Sequence, residues 1–486
     1  MGSSPFTAAR IGGADRAAVW ILFGGECARQ RLDYNRASIH PQPRRPALAT
    51  DTAVQDASGR PGPPRLVRAI SRFDLTAGVV NAVVGAGIFG APATAAALAG
   101  AWSPLAAVFA ALGILTVVLC FAEVGSRFDE SGGPYLYTRE AFGRHVGFAV
   151  GWLHVWTRLL SAAAILNVFV DYLARLLPLA GTTAGRASVM VVVVVLVTAI
   201  NVRGIRLAAW TVAAFTIAKL LPLGLLLLLG LPRVSGATLA TQAVAQAHWT
   251  DAVLLMVFLY GGFESAVIAA SETRDPRRHT ASALLVALGV VTATYCLVQL
   301  VVVGVLPHAA GTETPVAAAL EAVAGPLGAL VGSLAALVSG YGWLTGFAMM
   351  TPRILFAMGE RGELPRVLSL VHAEFRTPHV AVIANSGVAL ALALHGSFAD
   401  AASLSVVTRL GIFALTCASL PALRLRRPDQ PPAFRVAGGP AVAAAGILFC
   451  LWLLATRSFA QIWLLLLILA FGLLLRAWVT RRGEVA

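Results

Sequence analysis

The chain has 486 residues, of which 58% are hydrophobic and only 12% charged, with a mean hydropathy of +0.78. Soluble domains carry roughly 25% charged residues, so a water-soluble globular fold is excluded and most of this chain belongs in lipid. The net charge of +14 does not indicate nucleic-acid binding, because the arginines fall in short loops between apolar runs, the distribution that sets membrane topology.

Residues 1–70 are rich in Arg, Pro, Gly and Ser, with only Ala18 to Phe23 apolar. That patch is too short for a signal-peptide core with proper flanks. The region reads as a disordered cytoplasmic tail or as an over-extended start. From Phe73 onward about twelve apolar runs approach the ~20 residues that a bilayer crossing needs. They lie near 75–99, 102–124, 142–176, 187–203, 208–231, 249–271, 281–306, 317–351, 379–396, 401–423, 440–456 and 459–478. The third and eighth are long for one crossing, so they tilt or extend past the membrane. The expected fold class is therefore an all-α integral membrane protein.

Arginine placement orients the runs. One side collects most of the loop arginines, among them Arg127, Arg139, Arg203, Arg274, Arg424 and Arg476, whereas the other has Arg175, Arg186, Arg233 and Arg457. The positive-inside rule then puts both termini in the cytoplasm of a bacterial cell, with the chain in its cytoplasmic (inner) membrane. An even number of spans agrees. The abundance of Ala and Arg, with Lys219 as the single lysine, points to a GC-rich bacterial genome. Cys27, Cys120, Cys296, Cys417 and Cys450 form no CxxC or Cys/His spacing. A disulfide framework or metal site is not expected.

Two apolar runs are broken at their centres by glycine: Val83-Val84-Gly85-Ala86-Gly87-Ile88 and, 176 residues later, Tyr260-Gly261-Gly262-Phe263-Glu264. Lipid offers backbone groups no partner, so such breaks are tolerated where the freed groups line a protected cavity. A matched pair of interrupted spans marks the substrate site of an inverted-repeat transporter. Five spans per half is an odd number, so the halves run in opposite directions. The organisation is a 5+5 inverted repeat, with repeat one at about 73–235, repeat two at about 245–425 and appended helices at about 438–480, the whole transporter domain covering 71–480.

Each candidate site residue has a plainer reading beside it. The amides around Gly85, Ala86 and Gly87, at the positive end of a half-helix, suit a substrate carboxylate; alternatively these small residues only permit close helix packing. Phe258, Tyr260 and Phe263 either gate a pocket or pack. Lys219 is a cation inside an apolar run, which is costly and functional by default; otherwise it is a permanently charged structural plug. Glu264 either relays protons or bonds to neighbouring helices. Arg158, about sixteen residues into the third run, lies near mid-membrane at ~1.5 Å rise per residue. It either pairs with Glu264 or another internal acid, or binds a carboxylate on the substrate side chain. His154 reads as a packing histidine rather than a proton relay, Glu123 as a surface or loop-packing residue. Ser333, Ser339 and Thr345 either face Lys219 or are ordinary interhelical hydroxyls.

Four stretches, Phe73 to Gly90, Glu123 to Tyr137, Phe258 to Arg278 and Arg353 to Pro365, resemble, in order, motifs of bacterial permeases of the amino acid–polyamine–organocation (APC) superfamily. The resemblance covers roughly residues 70–480. It implies a leucine-transporter-like fold with two C-terminal helices added, alternating access, and an amino acid or polyamine as substrate. It further implies that carbonyls at Phe258, Leu259, Gly261 and Gly262, helped by Ala82 and Val83, accept hydrogen bonds from the substrate ammonium. Lys219 resembles a lysine of proton-coupled members whose ammonium stands where sodium sits in sodium-coupled relatives. The glycine-rich loop at Ser131 to Tyr135 resembles a conformational element of the family.

The expected function is secondary active amino acid transport, with proton symport through Lys219 as the first reading. Amine or amino acid exchange on the same fold is the second, and a transport-dead sensor the third. The expected partners are a small-molecule substrate, protons and the lipid bilayer, with the chain a monomer or homodimer. No cofactor is expected. No nucleophile–base pair or phosphate loop appears, so an enzyme is not expected.

Overall fold

Runs of Leu, Val and Ala without charge have one stable solution in lipid, a helix that satisfies its own backbone, and helices lie on each apolar run of this chain. The structure, a computed structural model, describes residues 72–128, 132–203, 209–242, 244, 246–264 and 276–483. The chain divides into Met1–Arg65 and Leu66–Ala486, and the described residues all belong to the second unit. The expected tail at 1–70, Ser131 of the glycine-rich loop, and Arg206 and Arg274 lie outside the described residues, as does the stretch that follows Glu264.

The first run forms two helices, α1 (Arg72–Val83) and α2 (Gly87–Ala99), separated at the expected glycines. Then come α3 (Ser103–Gly125), the short α4 (Gly133–Phe142), α5 (Arg144–Leu176), α6 (Thr183–Val202) and α7 (Ala209–Gly230). The second half holds a short α8 (Gly236–Thr241) and α9 (Trp249–Leu259), which ends at the second set of glycines. Next are α10 (Pro276–Val305), α11 (Pro315–Glu360), α12 (His379–His395) and α13 (Phe398–Arg426). The last two are α14 (Gly439–Ala455) and α15 (Phe459–Gly483). The long eighth run resolves into a short leading helix and a long one, because Gly325 in α11 adopts φ 68°, a conformation that glycine enters without steric cost.

Among the described residues seven segments are long and apolar enough to cross a bilayer, and α9, α12 and α14 are shorter apolar helices. Side chains such as Leu112, Val192, Leu228 and Leu474 are exposed on the outside of this bundle. A contiguous apolar exterior of that kind matches hydrocarbon rather than water. The chain is a multi-pass membrane protein.

Position in the bundle follows burial. α5 and α13 bury most of their length, whereas α6 and α15 expose most of theirs. α5 runs along α13 and α11, while α10 lies along α3 and α1. The two broken segments sit inside this ring, with α9 against α2, α3 and α13. α15 is fastened outside α5 by the Trp152 indole, which donates to the Ile468 carbonyl at 2.8 Å. Cys120, Cys296, Cys417 and Cys450 are free thiols.

Candidate substrate site between two broken helices

At the first break the Val84 amide still reaches back to Val80 and the Gly85 amide turns onto the Val83 carbonyl at 2.7 Å. α2 then starts afresh, and its first-turn N–H groups have no partner within the helix. At the second break the Gly261 amide bonds Phe258 O at 3.1 Å, and Gly262 turns to φ +119°.

The glycines let the two breaks touch. A Cβ on Gly87 would stand 2.9 Å from Leu259 Cδ2 and 3.0 Å from Phe258, and one on Gly262 would stand 2.6 Å from the Ala82 carbonyl oxygen. Tyr295 of α10 ties the breaks together, its hydroxyl lying 2.8 Å from Val83 O and 2.9 Å from Leu259 O. One O–H serves both carbonyls in turn. Tyr295→Phe removes the only donor in that bridge and strands a buried carbonyl, at about 1–3 kcal/mol. Thermal unfolding in detergent is expected to show a lower Tm; an unchanged Tm and unchanged transport contradict the bridging role.

Between the breaks lies a cavity of about 30 Å³ lined by Ala82, Val83, Gly85, Gly87, Arg158, Ser161, Phe258, Leu259, Gly261, Gly262, Trp343 and Arg409, among others. It holds a water or two, so an amino acid enters only as lining side chains move. At one end of the bundle a vestibule of about 830 Å³ opens, lined by residues including Thr94, Asn167, Asp171, Arg186, Glu313 and Phe398. Phe398 meets Phe258 edge to face at 5.9 Å between ring centroids, which places this pair between vestibule and cavity.

The other end is closed twice. Phe121, Phe263 and Phe413 form a plug with centroids 5.1 to 5.8 Å apart. Beyond it Glu123, expected as a surface or loop-packing residue, is fully buried. Its carboxylate accepts from Arg424 Nε and Nη2 at 2.7 and 2.6 Å and from the Val436 amide at 2.7 Å, which pins the chain after α13 under the end of α3. Arg127 reinforces this by donating to Gln430 O at 2.7 Å. Tyr135, from the glycine-rich loop motif, accepts from Arg361 at 2.6 Å and Arg139 at 3.1 Å at the same end.

The ionic partners differ from the expected ones. Glu264 does not pair with Arg158. Its Oε1 faces Arg409 Nε at 3.9 Å, and its Oε2 accepts from the Gly262 amide at 2.9 Å. Arg409, on the buried face of α13, also donates from Nη1 to Phe258 O at 3.1 Å. The Phe258 carbonyl, expected to be free for a substrate ammonium, is thus occupied. The sequence reading passed over Arg409; the signal was an arginine within the apolar run 401–423, the same signal that drew attention to Arg158. A Cβ on Gly261 would overlap the Arg409 guanidinium, so glycine there makes room for the arginine.

Arg158 takes no ion pair or hydrogen bond among the described residues. Its guanidinium lies over the Trp343 ring, 4.9 Å from the centroid. A buried mid-membrane arginine costs about 2.5–3.5 kcal/mol on insertion scales, and a cation–π contact returns about 0.5–2 kcal/mol. His154, Arg158 and Arg409 all lie within electrostatic reach of the Glu264 carboxylate.

Lys219 is buried on α7 and donates to the Asn81 carbonyl at 2.6 Å, near the end of α1. Ser333 and Ser339 keep buried hydroxyls without a hydrogen-bond partner, while Thr345 bonds back to Tyr341 O at 2.9 Å.

Two broken helices facing each other across a sealed cavity, with water at one end and a plug at the other, are the working parts of a transporter. Residues 70–467 match the family model for amino acid permeases. The chain belongs to the amino acid permease family. That family lies within the APC superfamily, and its members are transporters rather than enzymes. This permease is 28% identical over 463 residues to a branched-chain amino acid permease, BcaP, of Bacillus subtilis, covering 88% of this chain and 97% of that one. It is 27% identical to the serine/threonine exchanger SteT of the same organism, covering 77% and 88%. A methylthioribose transporter of Bacillus subtilis is 26% identical, covering 80% and 88%.

Proposed function

We propose that this permease carries an amino acid across the bacterial cytoplasmic membrane by alternating access, driven by proton symport. The contact of the two breaks around one cavity carries this reading. The first-turn amides of α2 receive the substrate carboxylate, and the Leu259, Gly261 and Gly262 backbone, with Ala82 and Val83, faces the rest of its backbone end. Under the proposal, twelve spans form a 5+5 inverted repeat with α14 and α15 added. The plugged end is cytoplasmic by its arginines. The vestibule end keeps few arginines, and three of these are neutralised locally: Arg175 by Glu321, Arg186 by Asp171 and Arg457 by Asp251. On that sidedness the chain stands outward-facing with its cavity contracted.

Lys219 is the coupling residue of the proposal. Its ammonium holds the carbonyl of Asn81, two residues before the end of α1. Loss of its proton weakens that hold and frees the first broken helix to move. Glu264, fixed to the Gly262 amide, carries the same message to the second break. In proteoliposomes with an imposed inward proton gradient, accumulation of labelled amino acid is expected to collapse with an uncoupler and in Lys219→Ala. Full proton-driven accumulation by Lys219→Ala refutes the coupling role.

The likeness to a serine/threonine exchanger favours exchange as the second reading. Uptake that requires preloaded amino acid and ignores the gradient selects it.

A further inference from the structure

We infer that the substrate of this permease carries a second negative charge: it is an amino acid with a carboxylate on its side chain, and Arg158 is the residue that receives that carboxylate. The inference rests on the proposed transport reading and adds the substrate class to it.

Charge is the first argument. The cavity is lined by two guanidinium groups, Arg158 and Arg409, and Glu264 is the one acid within electrostatic reach of both. Arg409 consumes that acid and also holds the Phe258 carbonyl. Arg158 has no anionic partner among the described residues and rests on an aromatic face. Arginine keeps its proton under all ordinary conditions, so the cavity retains one uncompensated positive charge. A neutral zwitterion leaves that charge uncompensated on binding. An acidic amino acid cancels it.

Placement is the second argument. The Trp343 ring that supports the Arg158 guanidinium also borders the first break, since a Cβ on Gly85 would stand 3.3 Å from Trp343 Cδ1. The guanidinium and the amides of the first break therefore line one wall of one cavity. A molecule whose α-carboxylate meets those amides presents its side chain within reach of Arg158. The planar fork of arginine matches a carboxylate with two parallel hydrogen bonds. A cation–π contact is readily exchanged for such a pair, so Arg158 swings off Trp343 as the cavity widens. Ser161, one turn along α5, lines the same cavity.

The test compares acids with their uncharged isosteres in proteoliposomes of the full chain. L-aspartate and L-glutamate are expected to be carried with a KM at least about tenfold below that of L-asparagine and L-glutamine. Each acid is likewise expected to raise the Tm of the detergent-purified protein more than its amide does. In Arg158→Gln the acid-to-amide ratio of KM is expected to fall to near one, and Arg158→Lys, which keeps charge without the fork, restores part of it. If Arg158→Gln fails to fold, the acid-against-amide comparison in the unaltered chain decides by itself. Carriage of neutral amino acids with no preference for the acids overturns the inference and leaves the transport reading intact, as does an acid preference that survives in Arg158→Gln. Absence of uptake and exchange for every amino acid overturns both.

Discussion

Gly262→Ala is expected to abolish transport while Gly78→Ala leaves it intact. Gly262 has φ +119°, which an alanine adopts at a cost of about 1–3 kcal/mol. The added Cβ also falls 2.6 Å from the Ala82 carbonyl oxygen and 3.0 Å from its carbon. These are backbone atoms of the opposing break, so no rotamer change relieves the contact. Displacing them costs about 1–3 kcal/mol more. Each 1.4 kcal/mol is a factor of ten in population, so the state in which both breaks line one cavity loses at least about tenfold. Gly78, exposed on α1, has nothing within 4 Å of its would-be Cβ, and alanine favours the helix there. Uptake normalised to folded protein, with size-exclusion profiles as the control, separates the two. Transport by Gly262→Ala at the unaltered rate contradicts the contact of the breaks.

Glu123→Ala is expected to loosen the plugged end. The Glu123 carboxylate is fully buried and accepts three hydrogen bonds from Arg424 and Val436; Arg127 lies 3.9 Å away. Removing one partner of a buried pair costs about 3–5 kcal/mol, because the other charge stays behind. Arg424 keeps the Val436 carbonyl at 2.9 Å, which places the loss toward the lower figure. The consequence is a detached 427–438 segment and a more frequently open end. Cys120, buried one turn before Glu123 on α3, reports it. Thiol labelling at Cys120, read by mass spectrometry, is expected to run at least about tenfold faster in Glu123→Ala, with Glu123→Gln between. Equal labelling in all three proteins contradicts the latch.

The breaks at Gly85 and Gly261 were legible because glycine pairs in the middle of an apolar run conflict with the local rule for lipid. The structure places both breaks where that conflict predicted them. Lys219 and Arg158 were legible for the same reason, as charges in runs that otherwise exclude charge. Arg409 carried the same signal and was passed over. Tyr295 and Trp343 carried none, since an aromatic in a membrane helix is ordinary until its neighbour is known. The Tyr295 hydroxyl reaches Val83 across 212 residues of chain, and Arg409 reaches Phe258 across 151.

Glu123 shows the same division. Its position at the end of an apolar run fits equally a solvated carboxylate and a buried latch. The choice depends on Arg424, 301 residues away, and on how α13 crosses α3. Residue type and spacing by themselves determined that the chain spans a membrane, where its helices lie and where two of them break, because each of those follows from the cost of placing local groups in hydrocarbon. Which guanidinium takes Glu264, which stays unpaired, and which end of the bundle is sealed were decided only by tertiary structure. Those pairings set side chains on distant helices against one another. The alternatives differ in which helix faces cross rather than in any local propensity.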